Sequence, residues 1–171
     1  MNENNLEQNK KESQSSFLSR VAGIGFFGGL IWSMFGFIAY YLNFSKVGPA
    51  LVLAPWALGK WKAEWLGQLI SIFIIALLSI LVAIGYRFAF AKINSMWAGI
   101  IFGVGLWAIV FYLLHPIYPG LEPMNTIGKN TIITTICIYI LYGVFVGYSI
   151  SFEYNERYGK KGEKKQSLQS T

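Results

Sequence analysis

The side chains of this chain that could do acid–base chemistry are few. The sole histidine, His115, and the acid Glu122 share one proline-rich segment, His115-Pro-Ile-Tyr-Pro-Gly-Leu-Glu-Pro. An imidazole that titrates near neutrality, with a carboxylate close by, is the minimum for general acid and base work, here on a lipid, or for a pH-responsive polar site. A single histidine with no carboxylate pair and no neighbouring thiols does not make a metal set. Three prolines in nine residues make a rigid turn at the membrane edge the plainer reading. The only cysteine, Cys137, lies in an apolar run, so an intramolecular disulfide cannot form and the thiol is expected to be inert and packed. No catalytic residue, cofactor or metal is therefore expected.

The elements that would position these residues are stated more plainly. Val21 to Leu42, Leu66 to Tyr86, Met96 to Leu114 and Thr131 to Phe152 carry no charged side chain. Each is about the 20 residues a helix needs to cross roughly 30 Å of hydrocarbon. In lipid the backbone amides have no water to bond, so such runs must be helical. The fold class is all-α: a polytopic membrane protein of four transmembrane helices. The first run follows Lys10, Lys11 and Arg20 as a signal peptide would, but it is too long and lacks a small-residue cleavage site, so it reads as a retained helix.

Ten of the fourteen basic residues fall in the two tails and the 87–95 connection, against four in the other two connections. The positive-inside bias then places both termini in the cytoplasm. The net charge of +6 is mostly this topology signal, and no nucleic-acid partner is expected. Residues 1–20 read as a polar cytoplasmic tail, disordered through Ser16, residues 21–152 as the four-helix domain, and residues 153–171 as a basic tail. In that tail Lys160, Lys161, Lys164 and Lys165 are placed to anchor on anionic lipid, although a plain solvated end accounts for them as well. The short 87–95 connection, with Ser95 as a candidate N-cap, makes spans two and three antiparallel neighbours.

The outer segment 43–64 is too apolar for an ordinary loop. Its uncharged run from Val47 to Leu58, with Pro49 and Pro55, suits an interfacial cap, the alternative being a re-entrant segment lining a path. Small residues four apart, Gly25, Gly29 and Ser33 in the first span, Gly99 and Gly103 in the third, and Gly143 and Gly147 in the fourth, allow helices to approach closely. Packing within the chain is the simplest use of them, a homodimer face the other. An echo between Gly23-Ile-Gly-Phe-Phe-Gly-Gly-Leu30 and Gly99-Ile-Ile-Phe-Gly-Val-Gly-Leu106, each followed by a tryptophan, suggests a duplicated helix pair. The spans hold no ionisable Asp, Glu, His, Lys or Arg, which argues against a proton-coupled carrier. Gln68, Ser71, Ser79, Thr131, Thr135, Tyr139 and Tyr142 offer neutral hydrogen bonds instead.

The four-span layout, the glycine-rich first helix, the Val47-Gly-Pro to Ala54-Pro-Trp-Ala segment and the His115-Pro-Ile-Tyr-Pro turn together resemble the YqhR family of small bacterial membrane proteins. The resemblance covers the spans and their connections. It implies a Gram-positive cell membrane and, since no activity is assigned to that family, carries over no functional residue. The expected role is that of a noncatalytic membrane protein, a partner, assembly or scaffold component whose surroundings are the bilayer and a membrane-protein partner or a second copy. The alternatives are a small transporter or channel component for a neutral solute, and a lipid-modifying enzyme at the outer interface using His115 and Glu122.

Overall fold

A computed structural model describes residues 3–55, 64–90, 96–118 and 126–169. Among these residues the chain is helical and contains no strand, and four helices are long and apolar enough to cross a membrane. Helix α1 runs over Glu3–Tyr41, α2 over Trp65–Phe90, α3 over Met96–Ala108 and α4 over Lys129–Gln169. The residues expected to be a disordered tail are helical from Glu3 onward, and α4 likewise continues to Gln169. A helix already nucleated by its spanning part propagates at little cost, and no proline interrupts either extension.

The ends of the helices follow from local chemistry. Helix α1 closes with Asn43 in the left-handed region (φ 59°), Phe44 N–H donating to Ala39 O at 2.9 Å and Asn43 N–H to Tyr40 O at 3.1 Å. This is a Schellman closure with asparagine in the place usually held by glycine. Pro116 cannot continue a helix, and α3 widens into a π-helical turn over Ile109–Leu113 before a short 3-10 turn at His115–Ile117. Gly128, at φ +91°, reverses the chain into α4 at an angle that a side chain would resist.

The helices pack as two antiparallel hairpins, α1 with α2 and α3 with α4, which meet chiefly along α1 and α4. Phe17, Arg87 and Tyr154 meet at one end of the bundle, the termini end, and the 42–64 and 114–128 connections define the opposite, loop end. Spans two and three are neighbours joined by the 87–95 connection, but not along a packed seam. Among the described residues α2 and α3 share no extended seam and touch through Tyr86 and Phe90 against Phe102, near the termini end. Small residues are the reason: they draw α2 onto α1 and α3 onto α4, and the surfaces α2 and α3 turn toward each other are bulky. Ser95, Trp56 and Trp61 lie outside the described residues, whereas Trp65 and Trp97 are exposed at opposite ends of the bundle.

Candidate functional site

The glycines singled out by spacing lie in the two hairpin seams. A Cβ added at Gly25 would fall 2.7 Å from Ala83 Cβ and 2.8 Å from Ser79 O, and one at Gly29 would fall 2.9 Å from Ala76 Cα, so both face α2. Gly99 and Gly103 face the α4 backbone at Gly143, Val144, Tyr139 and Ile140, and Gly143 faces back onto Gly99 and Gly103. Gly147 meets Gly99 and the hydroxyl end of Tyr86. Ser33 departs from the pattern: it is buried, donates to Leu30 O at 3.1 Å and borders a cavity instead of a seam. Spacing missed Gly28, where an added Cβ would press on Phe145 and Val146 of α4.

The sequence echo does not survive as equivalent packing. Aligned by the match, Gly23 pairs with Gly99 and Gly29 with Gly105, yet Gly23 and Gly105 have open space around them while Gly29 and Gly99 are at closest approach. The hairpins do repeat as a shape, with the seam glycines set two positions apart from where the match would put them.

Between the hairpins lies a cavity of about 500 Å³. Its walls are Leu78 and Val82 of α2, Leu106 of α3, Val110 of the π-helical turn after it, Trp32 and Gly36 of α1, and Thr135 and Tyr142 of α4. One helical turn beyond Val82 and Leu106 toward the termini end, Tyr86 packs edge-on against Phe102 with ring centroids 4.8 Å apart and brings α2 against α3. At the loop end the segment from Ser45 to Val52 forms a roof. The roof is tied to α2 by Ala50 N–H donating to Gln68 Oε1 at 3.0 Å, and to α4 by Lys46 N–H donating to Thr131 Oγ1 at 3.1 Å. Gly48 lets it lie flat, since a Cβ there would be 2.9 Å from the Tyr40 ring. Of the expected interfacial run 47–58, residues 47–55 are described and 47–52 lie over the bundle; the remainder is outside the described residues.

The polar groups around this cavity are mostly occupied. Ser79 Oγ sits 2.6 Å from Tyr142 Oη and donates or accepts there while lying 2.6 Å from Gly25 O. Thr135 donates to Thr131 O at 2.7 Å and accepts from Trp107 Nε1 at 3.1 Å. Ser45 donates to Val47 O at 2.8 Å. Trp32 also borders the cavity, and its buried indole N–H has no acceptor among the described residues. These bonds are the helix adhesion that neutral side chains provide in lipid.

A second cluster sits at the termini end. Phe17 is fully buried, the Arg87 guanidinium lies 4.8 Å from its ring centroid, and Tyr154 meets it edge-on at 6.2 Å. Arg20 pairs with Glu153 at 3.1 Å. Arg87 also ends α2, where a cation complements the helix dipole. The arrangement locks three helix ends together, and nothing in it is a nucleophile poised beside a base.

The other expected sites are only partly described. His115 lies in the 3-10 turn after α3, and Glu122 is outside the described residues. Lys160, Lys161, Lys164 and Lys165 fall on the last turns of α4. Cys137 is exposed on the α4 surface. No group of three or more potential metal ligands occurs among the described residues.

Comparison with known proteins agrees with the architecture. A family described as conserved membrane protein YqhR matches residues 1–166. The Bacillus subtilis (strain 168) protein named "Uncharacterized protein YqhR" is 46% identical over 160 residues, which cover 93% of this chain and 90% of that protein. No solved structure matches. With four apolar helices in two glycine-seamed hairpins and a family match over nearly its whole length, the chain belongs to the YqhR family of conserved membrane proteins.

Proposed function

We propose that the protein is a noncatalytic component of the cell membrane, both termini cytoplasmic, that serves a membrane or membrane-adjacent partner as an assembly or scaffold element. The observation that supports this is the length of its outer helices. At 1.5 Å per residue α1, with 39 residues, is about 58 Å long and α4, with 41, about 61 Å, each roughly twice the hydrocarbon thickness. Both overrun the bilayer at the termini end, where the Phe17, Arg87 and Tyr154 cluster and the Arg20–Glu153 pair fix them side by side. Two helices held together where they leave the bilayer, one of them rich in lysine and arginine beyond that point, make a surface for a partner of acidic character.

The test is purification of the full chain at its native level in mild detergent, with mass spectrometry of what accompanies it. A stoichiometric companion that is lost when Lys160, Lys161, Lys164 and Lys165 are all changed to Glu supports the reading. A clean species without a companion counts against it. Reporter fusions at both termini must give a cytoplasmic signal, and an outside signal at either end overturns the orientation.

A second reading, a component that passes a neutral solute, is favoured by the cavity and by Val47, Leu51 and Val52 lining it. Cysteines placed singly from Val47 to Leu58 decide it. Continuous reactivity toward a water-soluble maleimide supports a path, and protection at Leu51 and Val52 removes it.

A further inference from the structure

The cavity between the hairpins has a shape and chemistry that point to an occupant. The 45–52 segment roofs it, and α2 and α3 come into contact through Tyr86 and Phe102 one helical turn beyond Val82 and Leu106, so the gap between them opens to the side. The rim of that side is Leu78, Leu81 and Ile109, which are 45%, 66% and 47% exposed in the middle of spanning helices. In a bilayer those side chains border hydrocarbon, not water. Whatever enters between them comes from the lipid phase.

The lining selects further. The hydroxyls of Ser33, Ser45, Ser79, Thr135 and Tyr142 are each already bonded within the protein. Beside the Trp32 indole N–H, buried and without an acceptor among the described residues, the lining therefore offers a polar guest few open partners, whereas an alkyl chain needs none. The volume of about 500 Å³ lies within the range of roughly 300–1,000 Å³ typical of small-molecule sites. A partner helix, with a diameter of about 10–12 Å including side chains, is a poor match to a slot roofed at one end and bounded by the Tyr86–Phe102 contact toward the other. Tyr118 and Tyr139 bring further hydroxyls to the lining beside the roof.

We propose that the wedge between the α1/α2 and α3/α4 hairpins is a binding site for one alkyl chain of a membrane lipid, inserted laterally between Leu78 and Ile109 with its polar end toward Tyr118 and the loop-end roof. This site is independent of the partner reading above. It makes the two hairpins a single body through a bound lipid, and it gives the protein a means of responding to which lipids surround it.

The experiment uses the full chain in phosphatidylglycerol and phosphatidylethanolamine vesicles containing a phospholipid with a photoactivatable diazirine midway along one chain. After irradiation, adducts are located by mass spectrometry. Labelling is expected at Val82, Leu106 or Val110 in excess of that at Phe27, an exposed residue outside the cavity. Gly36 borders the cavity and has nothing within 4 Å of an added Cβ, so Gly36→Phe sets a ring at the edge of the slot. It is expected to lower cavity adducts about fivefold or more by occlusion while leaving Phe27 adducts unchanged. Gly105→Phe adds the same ring at an equally open position that does not line the cavity, and should change neither. Equal labelling at Phe27 and the cavity in the unaltered protein overturns the proposal, as does undiminished cavity labelling in Gly36→Phe. A protein–protein cross-link at Val82 or Leu106 would assign the slot to a partner helix and also refute it. A vesicle of purified protein contains no companion, so failure here leaves the partner reading untouched.

Discussion

Two glycines of one helix should respond in opposite senses to the same substitution. Gly99 and Gly105 both lie in α3. A methyl group at Gly99 would sit 2.8 Å from both Gly143 O and Val144 Cα, backbone atoms that cannot rotate aside. Optimal carbon contacts are about 3.5–4.0 Å, so α4 must retreat by the better part of an ångström. Overpacking of this kind costs about 1–3 kcal/mol. Gly105 has nothing within 4 Å of the same methyl group. Both substitutions gain about 0.5–1 kcal/mol of helix propensity, which cancels in the comparison. Gly105→Ala should therefore stabilise the protein, and Gly99→Ala should lie about 1–3 kcal/mol below it, roughly 5- to 150-fold in the unfolding constant. Reversible unfolding in mixed micelles of mild detergent and dodecyl sulfate measures both. If Gly99→Ala were as stable as Gly105→Ala, the α3/α4 seam would not be a backbone contact and the hairpin assignment would fail.

Other outcomes follow from single contacts. Ser79→Ala breaks the bonds to Gly25 O and Tyr142 and should cost about 0.6–1.7 kcal/mol, from the mean to the maximum measured for an interhelical hydrogen bond in a membrane. A cycle with Tyr142→Phe should show coupling in the same micelle assay, and strict additivity would mean the two hydroxyls do not interact. Gln68→Leu removes the acceptor for Ala50 N–H, so a cysteine at Leu51 should react faster with soluble maleimide than it does with Gln68 present. An unchanged rate would show that Gln68 does not hold the roof. His115→Ala and Glu122→Ala should each leave a deletion phenotype fully complemented, and loss of complementation in both would favour acid and base chemistry at the loop end.

The spans were legible because each depends on a property of the residue type alone. An uncharged run long enough to cross hydrocarbon has one stable form, and the helices of the structure begin or end within a few residues of those runs, apart from the extensions at both termini. The helix partners were less legible. Gly25, Gly29, Gly99 and Gly143 announce close approach by their spacing, but spacing names no partner; only three dimensions show that Gly25 faces Ala83 whereas Gly99 faces Gly143. The shortness of the 87–95 connection makes α2 and α3 neighbours, but how closely they pack depends on surface bulk across the bundle, which chain proximity does not reveal. The cavity left no sequence signal at all. Its lining is drawn from all four helices and the 45–52 segment, at positions whose individual types are ordinary for a membrane interior.

Why the chain leaves that wedge open follows from where the small residues lie. Helices in lipid gain no hydrophobic free energy from meeting, so they close only where small side chains let backbones touch. Each hairpin has such a seam. The facing sides of α2 and α3 instead carry Leu78, Val82, Leu106, Ile109 and Val110, which hold the helices apart beyond the Tyr86–Phe102 contact. At about 24 cal/mol per Å³, a dry void of 500 Å³ would cost on the order of 12 kcal/mol, as much as a whole domain's typical stability of about 5–15 kcal/mol. A bundle of this size cannot carry that penalty in a sealed core. A gap that opens sideways onto hydrocarbon escapes it, because neighbouring chains supply the missing contacts. The bulky faces of α2 and α3 and the lateral opening are thus two parts of one solution, and replacing Val82 and Leu106 with alanine should favour closure of the hairpins onto each other and expel the lipid chain.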